Sequence, residues 1–259
     1  MTHAPFAGVY TALCTPMRGG GEIDEAALGA LCEAQLRGGI AGLVACGTTG
    51  EAATMTPAEQ ARVIRVVVEA AGKRVPVLAG VGSPSTAHSL ELARAAIAAG
   101  ADGLLAVTPY YNRPSQEGLF QHFAALSRLG HPIMLYNVPA RTGCDLLPET
   151  VVRLCELPQV VALKEASGSV LRTQQLVRQL GERLAMEQQV FDADQGAGAD
   201  QSFDGLFDLR RDRRGGVGLG LVRRDGRGRP APGGADRSGR VPARGRGAQH
   251  LEGRRGQRG

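Results

Sequence analysis

The chain runs to 259 residues, 43% of them hydrophobic and 4% aromatic, enough to bury one large core or two small ones. Its net charge of +5 averages two unlike parts: residues 1–208 carry 15 basic and 21 acidic side chains, residues 209–259 carry 15 basic and 4 acidic. A mildly acidic body leaves any nucleic-acid role to the tail alone, no apolar run approaches the ~20 residues of a membrane span, and the five scattered histidines lack metal-ligand spacing.

The opening residues, MTHAPFAGVYTALCTP, lack the charged, apolar and small-residue zones of a secretory leader. Cys14, Cys32, Cys46, Cys144 and Cys155 are odd in number and form no CxxC pair, so they read as reduced packing thiols. Both observations predict a cytoplasmic protein.

From Gly8 (GVYTALCTP) onward, short apolar runs alternate with longer amphipathic ones. Further runs begin near Gly42 (GLVACG), Val75 (VPVLAG), Gly103 (GLLAVTP), Pro132 (PIMLYN) and Val160 (VVALKE), at spacings of 33, 28, 29 and 28 residues. They are too short for helices and lack the alternation of a half-exposed sheet, which predicts parallel strands covered on both faces. Between them, TPAEQARVIRVVVEAAG has Thr56 as N-cap, Pro57 at the first helical position and Glu59 to complete a capping box. Val63, Ile64, Val67 and Ala71 then share a face, and Gly72 ends the helix. TAHSLELARAAIAAG repeats the plan, with Leu90, Ala93 and Ile97 expected inward and Gly100 as terminator. Regular strand–helix alternation with short connections predicts a (β/α)8 barrel of the TIM type. A doubly wound sheet stays open as the alternative, although no GxGxxG follows an early strand.

Six βα units are clear, through VLRTQQLVRQLGERL. The period places a seventh strand near residue 188, where QQVFDADQG is a weak strand, and an eighth near 216, where GGVGLGLV is too glycine-rich for a good one. Beyond Phe207 there is no aromatic residue, and Arg, Gly and Pro dominate, the composition of a disordered segment. The expected organisation is a partial barrel over residues 1–185, a transition segment over 186–208 and an Arg/Gly-rich tail over 209–259.

In a barrel, chemistry collects where strands end. The polar residues there are CGTTGE after the second strand, TPYYNRP after the fourth, LYNVPARTG at the fifth and Lys164 at the sixth. Lys164 stands out because the chain has thirty basic side chains and two lysines, the other being Lys73 in a helix-to-strand turn. An amine at the end of a buried strand is costly unless it is paired or used. A desolvated amine loses its proton more easily, and the neutral form can attack a ketone to form an imine. Three of the four tyrosines, Tyr110, Tyr111 and Tyr136, are among these strand-end residues, and a nearby phenol could carry protons for the step. The plainer reading, an amine paired with Glu165 or another acid over a packed stem, also stands for a lone strand lysine. For Tyr110, rim packing suffices.

GTTGE, TPYYNRPSQEGL, LYNVPARTGCDLLPETV and LKEASG, in that order and at barrel spacing, resemble the family of pyruvate-dependent class I lyases and aldolases that contains dihydrodipicolinate synthase and N-acetylneuraminate lyase. The likeness covers about Gly8 to Leu184 and is nearest to the synthase branch. It implies that Lys164 is the Schiff-base lysine for pyruvate and Tyr136 the proton-transfer tyrosine, with Thr48 and Tyr111 completing its relay. It implies further that Thr48 and Thr49 hold the pyruvate carboxylate and that Arg141 grips the carboxylate of aspartate semialdehyde, a task for which a planar guanidinium is suited. Relatives that cleave sialic acid typically lack an arginine there. In the family the residue matching Tyr111 comes from a neighbouring subunit, which implies a homodimer or homotetramer. No metal or redox cofactor is implied, and no membrane. Pro57, Gln60, Pro84 and His88 stand where lysine-inhibited synthases have His, His, Asn and Glu, so feedback by lysine is not expected.

The resemblance stops after the sixth helix. A Gly-Asp-Asp segment and a Gly-Val-Ile-Ser-Val strand, usual in the family, are not legible; only Gly216-Val217 falls in the expected slot. A shifted reading frame in GC-rich coding DNA accounts for the Arg/Gly/Pro composition. The competing account is a basic arm that binds nucleic acid through phosphates, though it lacks the aromatics that stack on bases. Losing two strands would open two sheet edges and hydrate the amine. The sequence therefore implies a synthase ancestry and impaired activity for the chain as written.

Overall fold

The computed structural model describes residues 6–189, 206–211 and 217–220. Seven strands run parallel in chain order: β1 (Tyr10–Ala12), β2 (Gly42–Ala45), β3 (Val77–Gly80), β4 (Gly103–Val107), β5 (Ile133–Asn137), β6 (Val160–Glu165) and β7 (Ala185–Gln189). Helices α1 (Glu25–Arg37), α2 (Pro57–Ala71), α3 (Thr86–Ala98) and α4 (Gln116–Ser127) follow the first four strands. The short α5 (Pro139–Thr142) and α6 (Pro148–Leu154) follow β5, and α7 (Val170–Leu180) follows β6. These are the six βα units expected, curled as an incomplete (β/α)8 barrel.

Strand alternation divides the core into two layers. Leu43, Ala45, Val77, Ala79, Leu104, Ala106, Ile133, Leu135 and Leu163 face outward and pack against the helices. Val44, Leu78, Leu105, Met134, Tyr136 and Ala162 face the barrel interior together with Phe6 and Tyr10. With both faces covered, every residue of β2 and β5 is buried, which is why these runs show no polar alternation.

Helix starts are fixed by side-chain caps at the face where the strands end. Asp24, Thr56, Ser85, Ser115 and Ser169 each accept a hydrogen bond from the backbone N–H three residues on. Around Thr56 the expected capping box forms, with Pro57 in the first turn and Gly72 in the left-handed conformation at the far end. The predicted inward face of α2 is also the observed one. In α3 the face is rotated: Ser89, Leu92, Ala93 and Ala96 are buried, while Leu90 and Ile97 flank them half-buried. The small Ser89, Ala93 and Ala96 let the helix approach its neighbours closely, with Leu92 the one large side chain on the buried face.

Past α7 the chain departs from the expected plan. A seventh strand forms at Ala185–Gln189, parallel to β6, where only a weak one was expected. Two further strands then add at this edge: β8 (Leu206–Arg211) antiparallel to β7, and β9 (Val217–Gly220) antiparallel to β8. The predicted boundaries at 185 and 208 therefore fall inside strands; β8 runs against the barrel direction, whereas the glycine-rich eighth slot, β9, runs with β7 but joins the sheet through β8. Antiparallel neighbours need only a reversal of the chain, not a crossover helix, so they form where the helical period has been lost. Among the described residues no pairing joins β9 to β1. The remainder of the expected tail, residues 212–216 and 221–259, lies outside the described residues, and with it the disorder and nucleic-acid readings. Among the described residues no helix is long and apolar enough to cross a membrane.

Candidate active site

Two neighbouring strands supply the centre of the site. In the parallel ladder Tyr136 of β5 stands in register with Lys164 of β6, and Asn137 with Glu165. Alternation then fixes the directions: Ala162, Lys164 and Ala166 point into the barrel, Leu163 and Glu165 away from it. Lys164 and Tyr136 are 6% and 5% exposed, and Nζ lies 5.0 Å from the centre of the Tyr136 ring, within cation–π range. Of the plainer reading, in which the amine pairs with Glu165 or another acid, the Glu165 form fails on this geometry, because the two side chains leave the strand on opposite faces.

Glu165 is instead held on the outer face. Asn137 Nδ2 donates to both of its carboxylate oxygens at 3.2 Å, and the Ser167 N–H donates to Oε1 at 2.8 Å. The same Nδ2 donates to Asp145 Oδ1 at 2.9 Å, while Asn137 Oδ1 accepts from the Leu146 N–H at 3.0 Å. Arg172 of α7 donates twice to Asp145, at 2.6 and 2.8 Å, and this fork holds the Asp145 carboxyl below the usual carboxylate range against the opposing effect of burial.

Loops after the strands shape a cavity of about 510 Å3. Cys46 and Glu51 have left-handed backbones (φ 54° and 56°), which fold the Gly47–Gly50 turn over the end of β2. The N–H groups of Gly50 and Glu51 donate to the carbonyls of Gly47 and Thr48, so these two amides serve the turn rather than an incoming anion. Thr48 and Thr49 are exposed at its tip. Gly80 and Gly82 also line the cavity; a Cβ on Gly80 would lie 1.9 Å from the Cys46 carbonyl oxygen, and one on Gly82 2.7 Å from the Val107 nitrogen.

Of the six predicted site residues, Thr48, Tyr136 and Arg141 line this cavity, and Lys164 is beside Tyr136 on the next strand. Arg141 reaches it from α5 and is exposed. Lys164 itself, Thr49 and Tyr111 are not in its lining. Tyr111 is 91% exposed with φ 73°, an unusual backbone for an aromatic residue, held by donation of its N–H to the Thr142 carbonyl at 3.1 Å. Tyr110, expected as rim packing, is half-buried and lines the cavity.

A family model described as the dihydrodipicolinate synthetase family matches residues 5–193. The chain belongs to that family. A curated 4-hydroxy-tetrahydrodipicolinate synthase of Sorangium cellulosum is 54% identical over 189 residues, 72% of this chain and 63% of the relative. The chain thus spans less than two thirds of the length of the curated relative. A crystal structure of the chloride-inhibited dihydrodipicolinate synthase of Acinetobacter baumannii with pyruvate superposes with a TM-score of 0.69 at 43% identity, covering 71% of this chain and 64% of that one. The enzyme of Cyanidioschyzon merolae with lysine bound gives 0.70 at 39% identity, covering 73% and 64%.

Reading the motifs against this family located the inward-facing residues but passed over the outward layer of Asn137, Asp145, Glu165 and Arg172. A usable signal was there: a buried-strand glutamate follows the lysine, as an asparagine follows the tyrosine, and alternation places both on the outer face. The buried thiols of Cys32 and Cys155 are pushed up to about 11 and that of Cys46 to about 12, which keeps them protonated and supports a packing role for all three. Among the described residues no cluster of His, Cys, Asp and Glu could hold a metal ion.

Proposed function

We propose that this chain carries the reaction centre of a 4-hydroxy-tetrahydrodipicolinate synthase, a cytoplasmic enzyme of lysine and diaminopimelate biosynthesis. The observation that carries the reading is the inward pair of Tyr136 and Lys164, in register at the ends of two parallel strands and beside a cavity with Thr48 and Arg141 in its lining. The Lys164 amine adds to the keto carbon of pyruvate and water leaves, giving an imine. Loss of a methyl proton turns the imine into an enamine, whose carbon attacks the aldehyde of aspartate semialdehyde. The amino group of the semialdehyde then displaces Lys164, closing the ring and restoring the enzyme.

Each step is a carbonyl addition or a proton transfer, so the sequence consumes no electrons and calls for no redox cofactor or metal. Tyr136 is placed to move the protons, with Thr48 and Tyr111 as its relay. Thr48 and Thr49 receive the pyruvate carboxylate, and Arg141 that of the semialdehyde. Tyr111 stands in solvent away from this chain's own cavity, which supports a relay completed by a second copy, in a homodimer or homotetramer.

Borohydride added with pyruvate tests the reading. It should fix a pyruvate-derived adduct on Lys164 and leave Lys73, the other lysine, unmarked; absence of any adduct on Lys164 rejects catalysis by this chain. Arg141→Ala, assayed with several aldehydes, separates the synthase from other pyruvate aldolases such as N-acetylneuraminate lyase: only the semialdehyde reaction should fall.

A further inference from the structure

Asn137 is wholly buried and every polar atom of its side chain is engaged. One N–H of its amide goes to Asp145, the other is shared across the Glu165 carboxylate, and the oxygen takes the Leu146 N–H. Its backbone carbonyl also accepts from the Ala166 N–H at 2.8 Å, the last bond joining the ends of β5 and β6. A single neutral amide therefore stands between two carboxylates and ties the residue after Tyr136 to the residue after Lys164. Because successive residues of a strand point to opposite faces, whatever fixes Asn137 and Glu165 outward fixes Tyr136 and Lys164 inward.

We propose that Asn137 and Glu165 act as a positioning pair for the reaction assigned to Lys164: their side-chain bond on the outer face sets the facing and the hydration of the amine on the inner face. The proposal rests on the functional reading above for its purpose, but not for its test. Without the amide, Glu165, which is 1% exposed, keeps only the Ser167 N–H among these donors, and the Asp145 and Glu165 carboxylates confront each other. Rotation of the β6 end relieves that conflict and brings the Lys164 amine toward water.

Lys73 provides an internal reference, since it and Lys164 are the chain's two lysines. In the full-length protein, acetic anhydride is allowed to compete between them from about pH 6 to 10, around the ordinary range of lysine, and peptide mass spectrometry gives the ratio of modification. Asn137→Ala and Glu165→Ala should each raise the Lys164-to-Lys73 ratio about threefold or more and shift its pH profile. The double variant should go no further than the larger single one, because removing either partner already breaks the unit. Val67→Ala, a core truncation in α2 with a comparable loss of stability, should leave the ratio unchanged. Should Asn137→Ala fail to fold, Arg172→Met, at the outer end of the same chain of bonds, should move the ratio in the same direction. Ratios and profiles that stay at the parent values in these variants, or that move equally in Val67→Ala, overturn the proposal. The labelling requires no substrate, so a parent chain that traps no pyruvate would sink the functional reading while this measurement still decides the positioning role.

Discussion

His122 of α4 is 3% exposed and should make the protein acid-labile well above the range where carboxylates titrate. Its Nδ1 is 2.9 Å from the Thr86 hydroxyl of α3, its ring meets Phe123 edge-on with centroids 5.2 Å apart, and among the described residues its Nε2 has no hydrogen-bond partner. A proton taken up there would leave a charge in an apolar site with one N–H unsatisfied, and burial accordingly holds the imidazole down to about 4 from an ordinary 6.5. The unfolded chain therefore binds more protons than the fold between these values. The stabilisation is complete above about pH 6.5 and falls away as pH drops toward 4, by up to about 3 kcal/mol at 1.36 kcal/mol per unit. Urea unfolding of the parent and of His122→Leu between about pH 7.5 and 4 measures this directly. The parent should lose about 3 kcal/mol more than the variant over that span. Equal losses in both, within about 0.5 kcal/mol, would show that His122 accepts its proton without penalty and that the α3–α4 packing is looser than described.

Three further changes probe the scaffold and its regulation. Thr56→Ala removes the capping box of α2 and should cost about 1 kcal/mol, lowering the thermal midpoint by about 2–4 °C without touching the cavity. Gly80→Ala puts a methyl 1.9 Å from the Cys46 carbonyl oxygen and should cost about 3 kcal/mol, whereas Gly19→Ala, with nothing within 4 Å, should be near neutral in the same melting assay. Lysine should neither inhibit nor stabilise the chain: Pro57 and Pro84 offer no side-chain polar group, and Gln60 Nε2 is already committed to the Ala52 carbonyl at 2.8 Å. A rise of more than about 2 °C in the midpoint with millimolar lysine would contradict this.

How much was legible depended on how far local patterns agreed with one another. The six βα units were readable because each strand is a short apolar run, and five of the six are followed by a helix with a side-chain cap, Thr56, Pro57 and Gly72 marking one of these at both ends. Of the expected α3 face, Ala93 is buried as read, but Leu90 and Ile97 were weighed by hydrophobicity and are half-buried, whereas packing buried Ser89, Leu92 and Ala96 beside it. β8 and β9 were not legible as an antiparallel pair, since their glycines and arginines have neither a strand alternation nor a helix period. At the site, the identities of Tyr136, Lys164, Thr48 and Arg141 could be taken from motifs. The bond between Asn137 and Glu165 could not, because it depends on register between strands 28 residues apart, a quantity that only the ladder supplies.

Where the ends of β2, β3 and β4 meet, Gly80 and Gly82 leave the cavity floor close against the neighbouring chain. The Cys46 carbonyl occupies the volume that a side chain at position 80 would need, and Val107, through its Cγ1 as well as its main chain, that at position 82. Such a floor cannot be retailored by exchanging one side chain for another, because any enlargement there displaces a peptide plane. Divergence in what this pocket accepts is thereby channelled into its other walls, the threonine turn and the α5 arginine, leaving the base the same shape.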